Sequence, residues 1–133
     1  MFGKKKGNAP QSRIDSLIGV GTRIEGNVVF KGGLRVDGEV QGNITCEDDS
    51  QGTLVISERA SVEGAIAVGH VVINGVVLGP VCASESLELL ASARVTGDVD
   101  YQQIEIQQGA VIQGQLVYRG ATKNVELKLA SSN

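Results

Sequence analysis

Between residues 24 and 116 the chain repeats one short unit eight times: apolar residue, any residue, Gly, any residue, apolar residue. It reads IEGNV (24–28), VDGEV (36–40), VQGNI (40–44), VEGAI (62–66), INGVV (73–77), VLGPV (77–81), VTGDV (95–99) and IQGQL (112–116). Repetition at this density means that successive turns of chain occupy equivalent places, which constrains the fold more tightly than local propensity does. A nine-residue frame phases the units. IGVGTRIEG (18–26), ISERASVEG (56–64), LLASARVTG (89–97) and IQQGAVIQG (106–114) each open on Ile or Leu. Each then sets a small residue fifth (Thr22, Ala60, Ala93, Ala110), Ile or Val seventh, and Gly last. FKGGLRVDG (30–38) and AVGHVVING (67–75) share the ending without the small fifth residue. The frame starts lie 38, 33 and 17 residues apart, which fits a period near 16–18 with one long insertion at CEDDSQG (46–52).

That period, with alternating apolar residues and Gly at the corners, predicts an all-β fold, a β-solenoid of about six coils with three short parallel strands each. Ile24, Val28, Val36, Val40 and Ile44 then point inward, and Glu25, Asp37, Glu39 and Gln41 point to water. Stacked coils pair their backbone groups with the coil above or below, at roughly 4.8 Å per coil, for a rod roughly 30 Å long. Composition agrees. Val (18) and Ile (10) together far outnumber Leu (10), Gly reaches 18, and Phe and Tyr contribute only two each. A narrow column filled by branched side chains has no room for large aromatics. The expected organisation is a disordered leader over residues 1–16, the solenoid over 17–120 and a flexible tail over 121–133.

The net charge of −3 conceals an uneven distribution. Residues 1–13 carry +4, residues 14–121 hold 14 acids against 6 bases, and residues 122–133 add +1. An acidic body argues against nucleic-acid binding, which needs a basic face. Cys46 and Cys82 belong to no disulfide framework or CxxC set, and are expected to be buried or half-buried thiols in a reducing cytoplasm. His70, the only histidine, has no ligand partner at metal spacing and is expected at a surface or turn. Glu47, Asp48 and Asp49 do not follow calcium-loop spacing and read as a solvated insertion. Lys4, Lys5 and Lys6 lack the Gly and Ser/Thr residues of a phosphate loop. The expectation is no catalytic residue, cofactor, metal or nucleotide.

Other solenoids fit less well. Hexapeptide acyltransferases keep a strict period of six, which the four-residue steps Gly38 to Gly42 and Gly75 to Gly79 break. Polysaccharide lyases have many more coils and a groove of clustered charges. Ice binding needs a ladder of threonines, and the chain has five scattered ones.

The ordered run of FKGGLRVDGEVQGNI (30–44), LVISERASVEGAI (54–66), VVINGVVLGPV (71–81), LELLASARVTGDV (87–99) and IEIQQGAVIQG (104–114) resembles the bactofilins. These are bacterial cytoskeletal proteins built on a right-handed parallel β-helix of about six coils. The resemblance spans roughly residues 16–118, and the handedness comes from it alone. The opening MFGKKKG is similar to that family's membrane-targeting peptide, which makes Met1, Phe2, Lys4, Lys5 and Lys6 the candidate membrane contacts. The resemblance implies subunits that join end to end without nucleotide into filaments. These would lie on the cytoplasmic face of the bacterial inner membrane, contact its lipids, and recruit cell-wall enzymes or polarity proteins. The alternative is a solenoid binding module that does not polymerise.

Physical reasoning reaches self-assembly separately. A solenoid has two open ends with unpaired strand edges, and uncapped ends that stack give an open filament. The expected contacts are Ile18, Ile24 and Val28 at one end, and Ile106, Ile112, Leu116 and Tyr118 at the other. For the leader, three lysines near an anionic surface contribute roughly 1 kcal/mol each, and Phe2 with Met1 about 2 kcal/mol more. That is near-millimolar binding at best, too weak for one copy and sufficient for a filament displaying many.

Overall fold

A computed structural model describes residues 14–47 and 52–120, and among these every regular element is a strand. The first coil holds β1 (Ser16–Ile18), β2 (Arg23–Glu25) and β3 (Val28–Phe30), and the second β4 (Gly33–Val36), β5 (Glu39–Gln41) and β6 (Ile44–Cys46). Next come β7 (Thr53–Ile56), β8 (Ser61–Glu63) and β9 (Ile66–Ile73), then β10 (Val76–Leu78) and β11 (Val81–Leu89). The last described strands are β12 (Arg94–Thr96), β13 (Val99–Tyr101), β14 (Ile104–Ile106), β15 (Val111–Gln113) and β16 (Leu116–Tyr118). Strands β9 and β11 each run through a corner and serve two faces, so the described residues make six coils of three strand segments.

Every pairing is parallel and in register, with one bulge between Ala83 and Ser86. Each of the three faces therefore carries a straight inner column with one side chain per coil. The first column is Ile18, Val36, Ile56, Ile73, Leu89 and Ile106. The second is Ile24, Val40, Val62, Val77, Val95 and Ile112. The third is Val28, Ile44, Ile66, Val81, Val99 and Leu116. β-Branched side chains suit such columns because each has few rotamers and packs flat on the next. Members from the four middle coils are buried, and among the described residues no charged or polar side chain is.

The Gly-centred pentapeptides fall into two classes that look alike in the sequence. Six of them, one per coil, turn the chain from the second face to the third, and their glycines (26, 42, 64, 79, 97 and 114) form a column. A Cβ on Gly64 would collide with the Gly42 carbonyl oxygen, and φ there is +154°. The other two, VDGEV and INGVV, turn the chain from the first face to the second in the second and fourth coils. Those corners are short, and each nests on a longer corner in the coil before it. A Cβ on Gly38 would strike the carbonyl oxygens of Thr22 and Gly19. The longer corners close as turns, with the amides of Thr22, Ala60, Ala93 and Ala110 donating to the carbonyls of Gly19, Ser57, Leu90 and Gln107. Long and short corners explain the uneven period.

Side chains extend the ladder around the column. Asn27 accepts from the Asn43 amide and Asn43 from the Ala65 amide, both at 2.9 Å. The equivalent position after Ala65 is Pro80, whose nitrogen carries no hydrogen, so Ala65 loses nothing by lacking an acceptor. Asp98 resumes the pattern, accepting from the Gln115 amide at 3.0 Å.

Candidate assembly surfaces

The candidate end residues point inward in the first and last described coils, with a described coil on one side only. Ile18, Ile24 and Val28 are half-buried in the first coil, and they stand in register with the fully buried Val36, Val40 and Ile44. At the other end Ile112 is half-buried over Val95. Ile106 is 45% exposed over Leu89, and Leu116 is 48% exposed over Val99, both of which are completely buried. Tyr118, 52% exposed, stacks on Tyr101 with ring centroids 5.9 Å apart and planes tilted by 49°. The topology thus collects Ile18, Ile24 and Val28 on one end and Ile106, Ile112, Leu116 and Tyr118 on the other.

Both ends of the described rod also present strand edges. Within the rod, inward residues donate their amides to the following coil, as Leu87 does to Gln103 at 2.8 Å and Val99 to Gln115 at 2.8 Å. The same groups on Ile104 and Leu116 face the end of the described rod. A stacked neighbour would offer carbonyls to them.

Several exposed apolar residues were not anticipated. Leu17, Val20 and Val29 in the first coil are 60%, 64% and 61% exposed. Leu17 and Val29 point outward from their strands, opposite in phase to the inner column, and only the alternation itself signals them. Ile104 packs against the core at the far end and belongs with Ile106. Exposed Cys82 corrects the expectation of two buried or half-buried thiols. Cys46 occupies an inward position and is buried, whereas Cys82 lies on the outward phase of β11.

His70 is half-buried on the first face, and its Nδ1 lies 2.9 Å from Ser86 Oγ. Among the described residues no group of three or more His, Cys, Asp or Glu side chains could hold a metal. Glu47 is exposed, whereas Asp48 and Asp49 lie outside the described residues, as do Met1, Phe2, Lys4, Lys5 and Lys6 and the expected tail. Among the described residues one carboxylate carries a clear perturbation. Asp37, at the first short corner, accepts from the Ser57 hydroxyl and from Arg35 Nε at 2.9 Å, and these bonds hold its pKa below the usual 3.8.

Comparison with known proteins gives the same family as the repeat. A family model for bactofilins, described as polymer-forming cytoskeletal, matches residues 16–117. Bactofilin BacP of Myxococcus xanthus (strain DK1622) is 30% identical over 106 residues, which is 79% of this chain but 42% of BacP. Bactofilin BacO of the same organism is 31% identical over 101 residues, covering 70% of this chain and 80% of BacO. No solved structure matches. Repeat, six-coil solenoid and family match agree: the chain belongs to the bactofilins, a family of polymer-forming cytoskeletal proteins.

Proposed function

We propose that this protein is a scaffold whose subunits stack end to end, without nucleotide, into filaments on the cytoplasmic face of the bacterial inner membrane. The observation that carries the reading is the contrast along one column: Val99 is fully buried, and Leu116, its equivalent one coil later, is 48% exposed. Each end of the described rod is an interrupted core. Stacking completes the columns and the backbone ladders with contacts of the kind already made between coils, so no energy source is required. The leader's Met1, Phe2 and three lysines supply the membrane contact, and the filament's length supplies binding sites for cell-wall enzymes or polarity proteins.

Negative-stain microscopy and sedimentation of the purified protein without nucleotide test the assembly. Wild type forms filaments. Leu116→Arg and Tyr118→Arg each bury a charge in an apolar contact, at several kcal/mol, and give folded subunits with at least a 100-fold higher critical concentration. Filaments that persist in both variants would show that the carboxy-terminal end is not the contact.

A further inference from the structure

At the carboxy-terminal end of the described rod the first face ends on the edge of β14. Ile104 and Ile106 point inward there, over Leu87 and Leu89, with no described coil beyond them. Between them Glu105 points outward beside Glu88. The outward column runs Leu17, Arg35, Val55, Val72, Glu88 and Glu105, so two carboxylates stand together with no cation next to either in the column. Like charges paired across neighbouring strands are destabilising.

The chain itself carries a segment that fits this edge. Residues 125–129, VELKL, alternate apolar and charged side chains as a strand with one buried face does. Gly120, the last described residue, lies at the corner that leads from the third face to the first. The second coil shows where such a corner goes. Glu47 donates its amide to the Phe30 carbonyl at 2.9 Å and Arg119 donates to Tyr101 at 2.6 Å, so the two corners begin alike. After Glu47 the chain returns to the first face as β7, with Leu54 and Ile56 buried. Residues 47–53 separate Cys46 from Leu54, whereas residues 119–126 separate Tyr118 from Leu127 and residues 119–124 separate it from Val125. Either register is thus within one residue of the corner already made, and charge decides between them. Leu127 over Ile104 brings Lys128 beside Glu105, whereas Val125 over Ile104 brings Glu126 there, a third carboxylate in a row.

We infer that residues 127–129 dock as a further parallel strand on β14, with Leu127 over Ile104, Lys128 beside Glu105 and Leu129 over Ile106, and that the docked segment competes with an incoming subunit for this end of the rod. The inference rests on the end-to-end reading above. Leu127 continues the inner column of Leu34, Leu54, Val71, Leu87 and Ile104, and the Ile104 amide donates to the Glu126 carbonyl as Leu87 donates to Gln103. Ile112 and Leu116 on the other two faces stay open, so the segment obstructs stacking and can still be displaced. A segment docked about 90% of the time leaves about one subunit in ten competent to stack and raises the critical concentration about ten-fold.

Hydrogen exchange followed by NMR in the non-assembling Leu116→Arg chain reads the docking apart from assembly. The amides of Ile104 and Gly114 both face the end of the described rod, and only Ile104 lies under the docked segment. Relative to an unstructured chain, Ile104 is expected to exchange at least five-fold more slowly than Gly114, independently of protein concentration. Adding Leu127→Asn with Leu129→Asn abolishes the difference. Lys128→Glu reduces it, and adding Glu105→Lys restores it. In the chain that keeps Leu116, Leu127→Asn with Leu129→Asn is expected to lower the critical concentration for filaments at least five-fold in sedimentation. Equal exchange at Ile104 and Gly114, protection that grows with concentration as a second copy's segment would give, or no restoration by the charge swap would each overturn the docking. A critical concentration that stays the same or rises in the double Asn variant would overturn the competition. Filaments in none of these chains, with Ile104 still protected by residues 127–129, would overturn the end-to-end reading and the competition while supporting the docked strand.

Discussion

At the scale of single residues, the corner formed by Arg35, Asp37 and Ser57 shows how a polar group is kept in a column fold. Asp37 sits half-buried where a short corner crosses from the first face to the second, and Ser57 from the next coil donates to it. The Ser57 bond contributes most to its lowered pKa and the Arg35 guanidinium comes second. A carboxylate whose folded pKa is depressed adds stability above its unfolded pKa, near 3.8, and loses it as pH falls through the lower folded value. Ser57→Ala is therefore expected to cost about 1 kcal/mol at pH 7, with the gap to the parent closing below pH 4. Urea denaturation across pH in the Leu116→Arg background checks this, because polymerisation makes apparent stability depend on concentration. A pH-independent gap would mean that Asp37 does not mediate the loss.

At the scale of elements, what the sequence disclosed follows from what a column requires. Ile24, Val28, Val36, Val40 and Ile44 face inward as their alternation predicts, because strand phase is a local property. The corners were not legible in the same way. VDGEV and VQGNI share Val40 and one pattern, yet they turn different corners, and the distinction lies in the coil stacked against each. Val29 and Leu17 were missed for a related reason: an outward apolar residue has no partner inside its own subunit to define it. The glycine column makes the corner argument testable. Gly64→Ala combines an unfavourable φ with a backbone collision and is expected to cost about 3 kcal/mol or more. Gly19→Ala meets nothing within 4 Å and is expected to stay within about 0.5 kcal/mol of the parent. Equal losses in thermal melts of the two variants would contradict the close-approach account.

At the scale of the whole molecule, charge and valency have to be weighed together. The body over residues 14–121 carries 14 acids against 6 bases, so an anionic membrane repels it while the leader, with +4, is attracted. At physiological salt the repulsion fades beyond about 8 Å, so a short leader can bridge the gap, but its few kcal/mol cannot hold one subunit. Membrane binding should then depend on assembly as strongly as on the leader. Deleting residues 2–6 is expected to leave filaments that no longer pellet with phosphatidylserine-containing vesicles. Leu116→Arg, with its leader intact, is expected to pellet at least 10-fold less than wild type at equal subunit concentration, because it presents one leader where a filament presents many. Raising salt should release wild-type filaments and lower the residual binding of the monomeric variant, because the same lysine attraction is screened in both, with the steeper fall in the filament, which loses it at every leader. If Leu116→Arg pellets as well as wild type, the leader anchors single subunits by itself. In that case assembly would follow membrane binding instead of enabling it.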